Sequence, residues 1–171
     1  MKKIIRLTES DLTRIVRRVI KENYISENYK IITSEEVQKI KSDLEDLFNN
    51  YIIEKMVPEN GLHYSDITHY YNLWRKKNIS HFTRRPSKKF GDELEYDELS
   101  KDQKDEWKEL WKTNIETLGK LFEELINTYE EQYKKLEDDS SMKNGLSDVL
   151  DVLYFDYDTY FEHVMYPKKH N

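Results

Sequence analysis

The chain has 171 residues, of which 37% are apolar and 36% are charged, and its formal net charge is −6 at pH 7. This length fits one domain or at most two, and the acidic balance disfavours general nucleic-acid binding. The absence of cysteine excludes disulfides and thiolate metal sites. No apolar run is long enough to predict a membrane span or a secretory signal.

The first 22 residues form a basic leader with seven Lys/Arg against three Asp/Glu. Thr8 and Asp11 have the pattern of a helix cap, and they predict a helix over residues 9–22. Apolar residues recur in this helix at a spacing of three to four and predict one stripe: Leu12, Ile15, Val16, Val19 and Ile20. Basic residues occupy another face: Arg14, Arg17 and Arg18.

A helix as short as this leader is only marginally stable alone, so it needs a surface that covers its apolar stripe. Helices of this kind pack the stripe into an apolar groove, while the arginines meet acidic surface at the rim. The leader is therefore predicted to be a docking element for protein partners.

Four further helices are predicted after a linker at residues 24–33. Apolar residues recur at helical spacing in four segments: residues 34–56, 65–78, 101–138 and 147–165. An irregular charged loop at 79–99 and a turn at 140–145 are predicted between them. Ser100 and Gln103 have the pattern of a capping box at the start of the longest helix.

These elements predict an all-α fold, a four- to five-helix bundle with one long helix and a basic N-terminal helical arm. The predicted organisation has three parts: a leader at residues 1–23, a linker at 24–33 and a helical body at 34–171. The long helix carries an aromatic-rich seam, and such a seam favours the core of an intramolecular bundle over a coiled-coil dimer.

Residues 74–90 form a second basic segment, with seven Lys/Arg, no acidic residue and three interleaved aromatic rings. Cations that meet phosphates and rings that stack on bases are typical of single-strand binding. The residues predicted to contact nucleic acid are Trp74, Arg75, Lys76, Lys77, Arg84, Arg85, Lys88 and Lys89. In the alternative interpretation, the loop neutralises itself, because eight Asp/Glu follow within residues 92–106.

Catalytic and metal-binding patterns are weak. His63, Asp66 and His69 are spaced so that a regular helix would turn them to different faces. Asp158 and Glu162 share a face beside His163, but no zinc-type or paired-carboxylate motif is formed. These residues are interpreted as a solvated acidic edge. The sequence predicts no catalytic residue, no metal, no cofactor and no enzymatic activity.

The leader resembles an N-terminal segment found on many otherwise unrelated proteins of tailed bacteriophages, including crAss-like and marine phages. The resemblance rests on RLTESDL followed by a basic amphipathic stretch, and it covers about 22 of the 171 residues. It implies a phage protein located in the virion or the host cytoplasm. The implied role is a structural or cargo protein whose partners are capsid, portal or tail proteins, or further copies of itself.

The same resemblance implies a processing site. Prohead proteases of large tailed phages cut after Leu-x-Glu and before a small residue, and Leu7, Glu9 and Ser10 fit this pattern. Cleavage there would make the leader a capsid-targeting tag. In the alternative interpretation, Thr8 and its acidic neighbours only cap the leader helix and interact favourably with its dipole.

Overall fold

The computed structural model describes residues 8, 12–14, 16, 30–83, 99–137 and 140–167. Of these described residues, 83% are helical and none lies in a strand, which confirms the all-α prediction. The elements are α1 Ser34–Met56, α2 Tyr64–Asn78, α3 Ser80–Thr83, α4 Lys101–Lys134, α5 Ser141–Asp156, the π-turn Tyr157–Phe161 and α6 Glu162–Met165. Among the described helices, none is long and apolar enough to cross a membrane.

The chain divides into two compact units. The first combines residues 1–30 with residues 85–111, and the second combines residues 31–84 with residues 112–171. In the first unit, the Ser100 hydroxyl accepts from the Gln103 N–H at 3.2 Å, and the Gln103 side chain accepts from the Ser100 N–H at 3.0 Å. This confirms the predicted capping box at the start of α4.

Helix α1 begins with a capping box and supplies the centre of the second unit. Thr33 is the N-cap of the helix and exchanges two hydrogen bonds with Glu36. One face of α1 is buried: Ile40, Leu44, Phe48, Tyr51 and Ile52. The ring of Phe48 lies 6.1 Å from that of Tyr71 on α2 and 5.9 Å from that of Tyr129 on α4, so it joins three helices.

Helix α4 buries most of its predicted seam. Six residues of this aromatic-rich seam are buried: Trp107, Ile115, Leu118, Phe122, Leu125 and Tyr129. Phe122 packs against Phe161 of the π-turn, with ring centroids 4.8 Å apart. Gly119 makes this approach possible, because a Cβ there would lie 3.2 Å from the Phe161 Cβ and would overlap the Met165 sulfur.

The predicted turn at 140–145 is wrong, because α5 already begins at Ser141. Ser140 is its N-cap and accepts from the Lys143 N–H at 3.0 Å. Gly145 is a packing residue inside the helix. A Cβ there would lie 3.3 Å from the Ile52 Cα, so the missing side chain lets α1 and α5 pack closely.

The predicted irregular loop at 79–99 is wrong at its start. Ser80–Thr83 forms the short helix α3, because Ile79 and Phe82 both bury their side chains. Residues 84–98 of that predicted loop, and residues 24–29 of the predicted linker, lie outside the described residues. The predicted helix at 147–165 is confirmed as helical throughout, but its residues Tyr157–Phe161 form a π-turn.

We expect Phe122→Ala to lower the free energy of unfolding by about 3–5 kcal/mol, because it leaves a cavity beside Phe161. Phe155→Ala is the matched control, since this phenylalanine is 65% exposed and should change stability by less than about 0.5 kcal/mol. Urea unfolding of both variants, followed by far-ultraviolet circular dichroism, measures the difference. Equal losses in the two variants would contradict the packing described above.

Candidate protein-docking site

The leader forms a helical turn with uncovered apolar side chains where the structure describes it. The N–H of Leu12 donates to the carbonyl of Thr8 at 3.0 Å, as in the first turn of the predicted helix. Leu12 is 50% exposed and Val16 is 53% exposed. These two residues are one turn apart and belong to the predicted apolar stripe.

The remaining leader predictions fall outside the described residues. Arg14 is described and lies on the exposed surface. The other members of the docking prediction are not described: Ile15, Arg17, Arg18, Val19 and Ile20. The same holds for the predicted processing residues: Leu7, Glu9 and Ser10.

The basic segment at residues 74–90 divides into two groups in the described part. Trp74 is half-buried and its ring lies 5.9 Å from that of Tyr71, roughly parallel to it. Lys76 and Lys77 are exposed at the end of α2, where their positive charges interact favourably with the negative end of the helix dipole. Four further candidates lie outside the described residues: Arg84, Arg85, Lys88 and Lys89.

Arg75, a predicted nucleic-acid contact, instead takes part in a largely buried polar cluster. Its Nε donates to the carboxylate of Asp156 at 2.8 Å, and the side chain of Asp156 is only 4% exposed. The hydroxyl of Tyr71 donates to the same carboxylate oxygen. The guanidinium also lies over the ring of Tyr160, 4.3 Å from its centroid. The cluster therefore joins α2 to the end of α5 and to the π-turn.

Burial dominates the electrostatics of this cluster. It raises the pKa of Tyr71 well above its ordinary value, and the neighbouring Asp156 carboxylate raises that pKa further. The tyrosine therefore stays protonated and keeps donating to Asp156 at neutral pH. The buried indole N–H of Trp74, next to the cluster, has no hydrogen-bond partner among the described residues.

A second ion pair ties the end of α1 to the middle of α5. Lys55 pairs with Asp148, and the hydroxyl of Tyr51 lies 2.9 Å both from that carboxylate and from the carbonyl of His63. Burial, followed by the hydrogen bond with Asp148, raises the pKa of Tyr51 above its ordinary value. These polar groups fasten the bundle at its turn between α1 and α2.

The outer side of α5 and the π-turn is acidic and aromatic. Asp151, Phe155 and Asp158 follow one another at a spacing of three to four, and Glu162 lies about one turn further along. All four are exposed, and we call them the acid–aromatic face. Residues 144–166 contain no lysine or arginine, and no described cation lies within ion-pair distance of these three carboxylates.

Beside the acid–aromatic face, Glu130 of α4 accepts from the hydroxyl of Tyr154 and pairs with Lys134. The hydrogen bond with Glu130 raises the pKa of Tyr154 to about 12, and it lowers the pKa of Glu130. This contact ties Tyr154 of α5 to α4.

Among the histidines noted in the sequence, His63 has a structural role at the start of α2. Asp66 accepts from the N–H of His63 at 2.6 Å and thereby caps α2. Among the described residues, no group of three metal-ligating side chains could hold an ion. Asp156, which lies two residues before Asp158, is engaged by Arg75 instead.

A cleft of about 190 Å³ lies between α1 and the end of α2 with α3. Ile40 and Phe82 supply its apolar lining, and Glu36 and Lys77 are among its charged residues. His81 also lines it, and burial lowers the pKa of this imidazole. Because acidic and basic side chains both line the cleft, its charge does not indicate one class of ligand.

Sequence reasoning missed the Arg75–Asp156 pair and a buried amide contact. The side chain of Asn114 is 1% exposed and accepts from the N–H of Ile32 at 2.9 Å. Each pair joins residues more than 80 positions apart. Helical periodicity carries no information about such partners, although a polar residue on a predicted apolar face was a usable signal.

No protein-family model, curated protein or solved structure matches this chain.

We expect Asp156→Asn to lower the free energy of unfolding by about 3–5 kcal/mol, because it leaves the Arg75 guanidinium without its buried counter-ion. Asp158→Asn is the control, since it removes an exposed carboxylate and should change stability by less than about 0.5 kcal/mol. Urea unfolding near pH 7 measures both. The loss for Arg75→Met combined with Asp156→Asn should be smaller than the sum of the single losses. If the loss for the double variant equals the sum of the single losses, Arg75 and Asp156 do not stabilise each other as described.

Proposed function

We propose that the chain is a non-enzymatic bacteriophage protein, associated with the virion as a structural or cargo protein. It docks onto other proteins through its N-terminal leader helix. In this mechanism the apolar stripe enters a groove on the partner, and the leader arginines meet acidic groups around that groove.

The observation that carries the proposal is the exposure of Leu12 and Val16. Both lie on the same side of a helical turn, and each leaves about half of its side-chain surface in contact with solvent. Full burial of an exposed aliphatic side chain contributes about 1.5–3 kcal/mol, so covering the exposed half of each residue contributes roughly half of that and favours association with a partner. The resemblance of the leader to phage segments supports the choice of a phage partner.

A double substitution in the leader tests this function. Leu12→Glu with Val16→Glu should deplete the protein about tenfold or more from purified particles of the source phage, because two charges enter the apolar groove. Ile53→Glu with Leu73→Glu is the matched control, since it places the same two charges on apolar positions of α1 and α2 that are 60% and 57% exposed. Quantitative mass spectrometry of the particles gives the copy number and the N-terminus of each variant.

Equal incorporation of the leader variant and the control would refute docking through the leader. Absence of the parent protein from the particles would refute a virion role. An N-terminus at Ser10 would show that the leader is a cleaved tag, whereas an intact Met1 would exclude processing.

Nucleic-acid binding through residues 74–90 is the second candidate function. The exposed ammonium groups of Lys76 and Lys77 at the end of α2 favour it. Arg75 and Trp74 weigh against it, because the ion pair with Asp156 and the packing on Tyr71 already engage them. Under this candidate, the affinity would come from the remaining lysines and arginines of the segment.

A labelled single-stranded oligonucleotide of about 20 nucleotides separates the two functions. If the chain acts by protein docking, fluorescence anisotropy at about 50 mM salt should show no binding of this oligonucleotide. Binding that weakens with salt, with a salt dependence reduced in Lys76→Glu/Lys77→Glu, would favour the nucleic-acid function. Lys39→Glu/Lys120→Glu, which reverses two exposed charges on α1 and α4, is the control for net charge.

A further inference from the structure

We infer that the acid–aromatic face of one copy is the acceptor for the leader helix of a second copy, so that the chain associates head to tail. This inference rests on the proposed docking function and names its partner. The acceptor consists of Asp151, Phe155, Asp158 and Glu162 on α5, the π-turn and α6. The donor is the basic amphipathic leader with its apolar stripe.

Charge complementarity selects this occupant. The leader carries a net charge of +4, with seven Lys/Arg against three Asp/Glu in 22 residues. The acceptor offers three exposed carboxylates, and residues 144–166 contribute no lysine or arginine to oppose an incoming cation. Asp148 and Asp156 in the same segment already hold Lys55 and Arg75, which leaves the outward carboxylates for a partner.

The apolar surfaces are complementary as well. Phe155 exposes 65% of its surface in the middle of the acidic row, and Tyr166 exposes 57% one helical turn beyond Glu162. Leu12 and Val16 are uncovered on the leader. Packing these side chains against each other removes apolar area from water on both copies, while the arginines approach the flanking carboxylates.

The geometry of the contact determines the kind of assembly. Donor and acceptor are different surfaces of the same chain, so each copy can give a leader and receive one. A single helix against a single helix buries less than the roughly 1,200 Å² of a standard interface. The association is therefore weak, in the micromolar range or above, and it depends on ionic strength because its charges are exposed.

Sedimentation velocity of the full chain at about 100 μM tests the inference, because this concentration suits a weak contact. We expect the parent to self-associate at about 50 mM salt and to become monomeric at about 500 mM. Leu12→Glu/Val16→Glu removes the donor, and Asp151→Lys/Asp158→Lys removes the acceptor. Each variant alone should lose at least about tenfold in association constant.

Mixing the two variants gives the sharpest readout. One retains an intact acceptor and the other an intact leader, so an equimolar mixture should form a one-to-one dimer and nothing larger. Glu54→Lys/Glu59→Lys is the matched control, because it reverses two exposed acids, one near the end of α1 and one in the turn that follows, and should associate like the parent. Far-ultraviolet circular dichroism verifies that every variant is folded.

Three outcomes would overturn the inference: a monomeric parent at low salt, an acceptor variant that associates like the parent, or a mixture without a dimer. None of these outcomes would refute the proposed docking function itself. Mass spectrometry of the leader variant in purified particles tests that function separately. If the parent is monomeric and its incorporation into particles still requires Leu12 and Val16, the leader binds a different protein and not a second copy of this chain.

Discussion

The buried contact between Arg75 and Asp156 is the constraint on which the second unit depends. A carboxylate that is 4% exposed is strongly disfavoured unless a cation and a hydrogen-bond donor accompany it, and here Arg75 and Tyr71 supply both. Both partners come from α2, while the carboxylate comes from the last residue of α5. The pair therefore fixes the relative positions of these two helices, and apolar packing then fills the space around them.

Two glycines make the rest of that packing possible. Gly145 brings the backbone of α5 against Ile52 of α1, and Gly119 brings α4 against Phe161 and Met165. Glycine weakens a helix by about 1 kcal/mol relative to alanine, so its presence inside two helices indicates that close approach outweighs this penalty. The unit is thus organised by the polar pair at the end of α5 and by two close approaches, one between α5 and α1 and one between α4 and the segment that follows α5.

Much of the fold could be predicted from periodicity, because the helices bury one continuous stripe each. The seam of α4 and the limits of α1 follow directly from residues such as Leu44, Leu118 and Phe122. Gly145 misled the prediction, since a glycine at a turn and a glycine in a tight helix crossing look alike in sequence. The π-turn was not predicted for a different reason. Residues 147–165 carry apolar or aromatic side chains around much of the helix, so a register shift of one residue does not visibly interrupt their pattern.

The candidate docking surfaces were only partly predictable. The leader stripe is local, so the spacing of Leu12 and Val16 indicates it directly. The acid–aromatic face required the structure, because the sequence alone does not separate Asp156, which is buried and paired, from Asp158, which is exposed. That distinction depends on where Arg75 lies in space, and residues 81 positions apart carry no signal of their contact.

The π-turn has a consequence for how the chain tolerates changes in length. A π-turn holds one more residue than the α-helical turn it replaces, so the segment Tyr157–Phe161 contains a spare residue. Losing one residue there would restore a regular α-helix and leave Phe161 facing Phe122. Losing one residue from the middle of α5 would instead rotate everything beyond it by about 100° and turn Phe161 out of the core. A deletion of one residue within these five positions is therefore tolerated, whereas the same deletion in the preceding helix displaces Phe161 from the core.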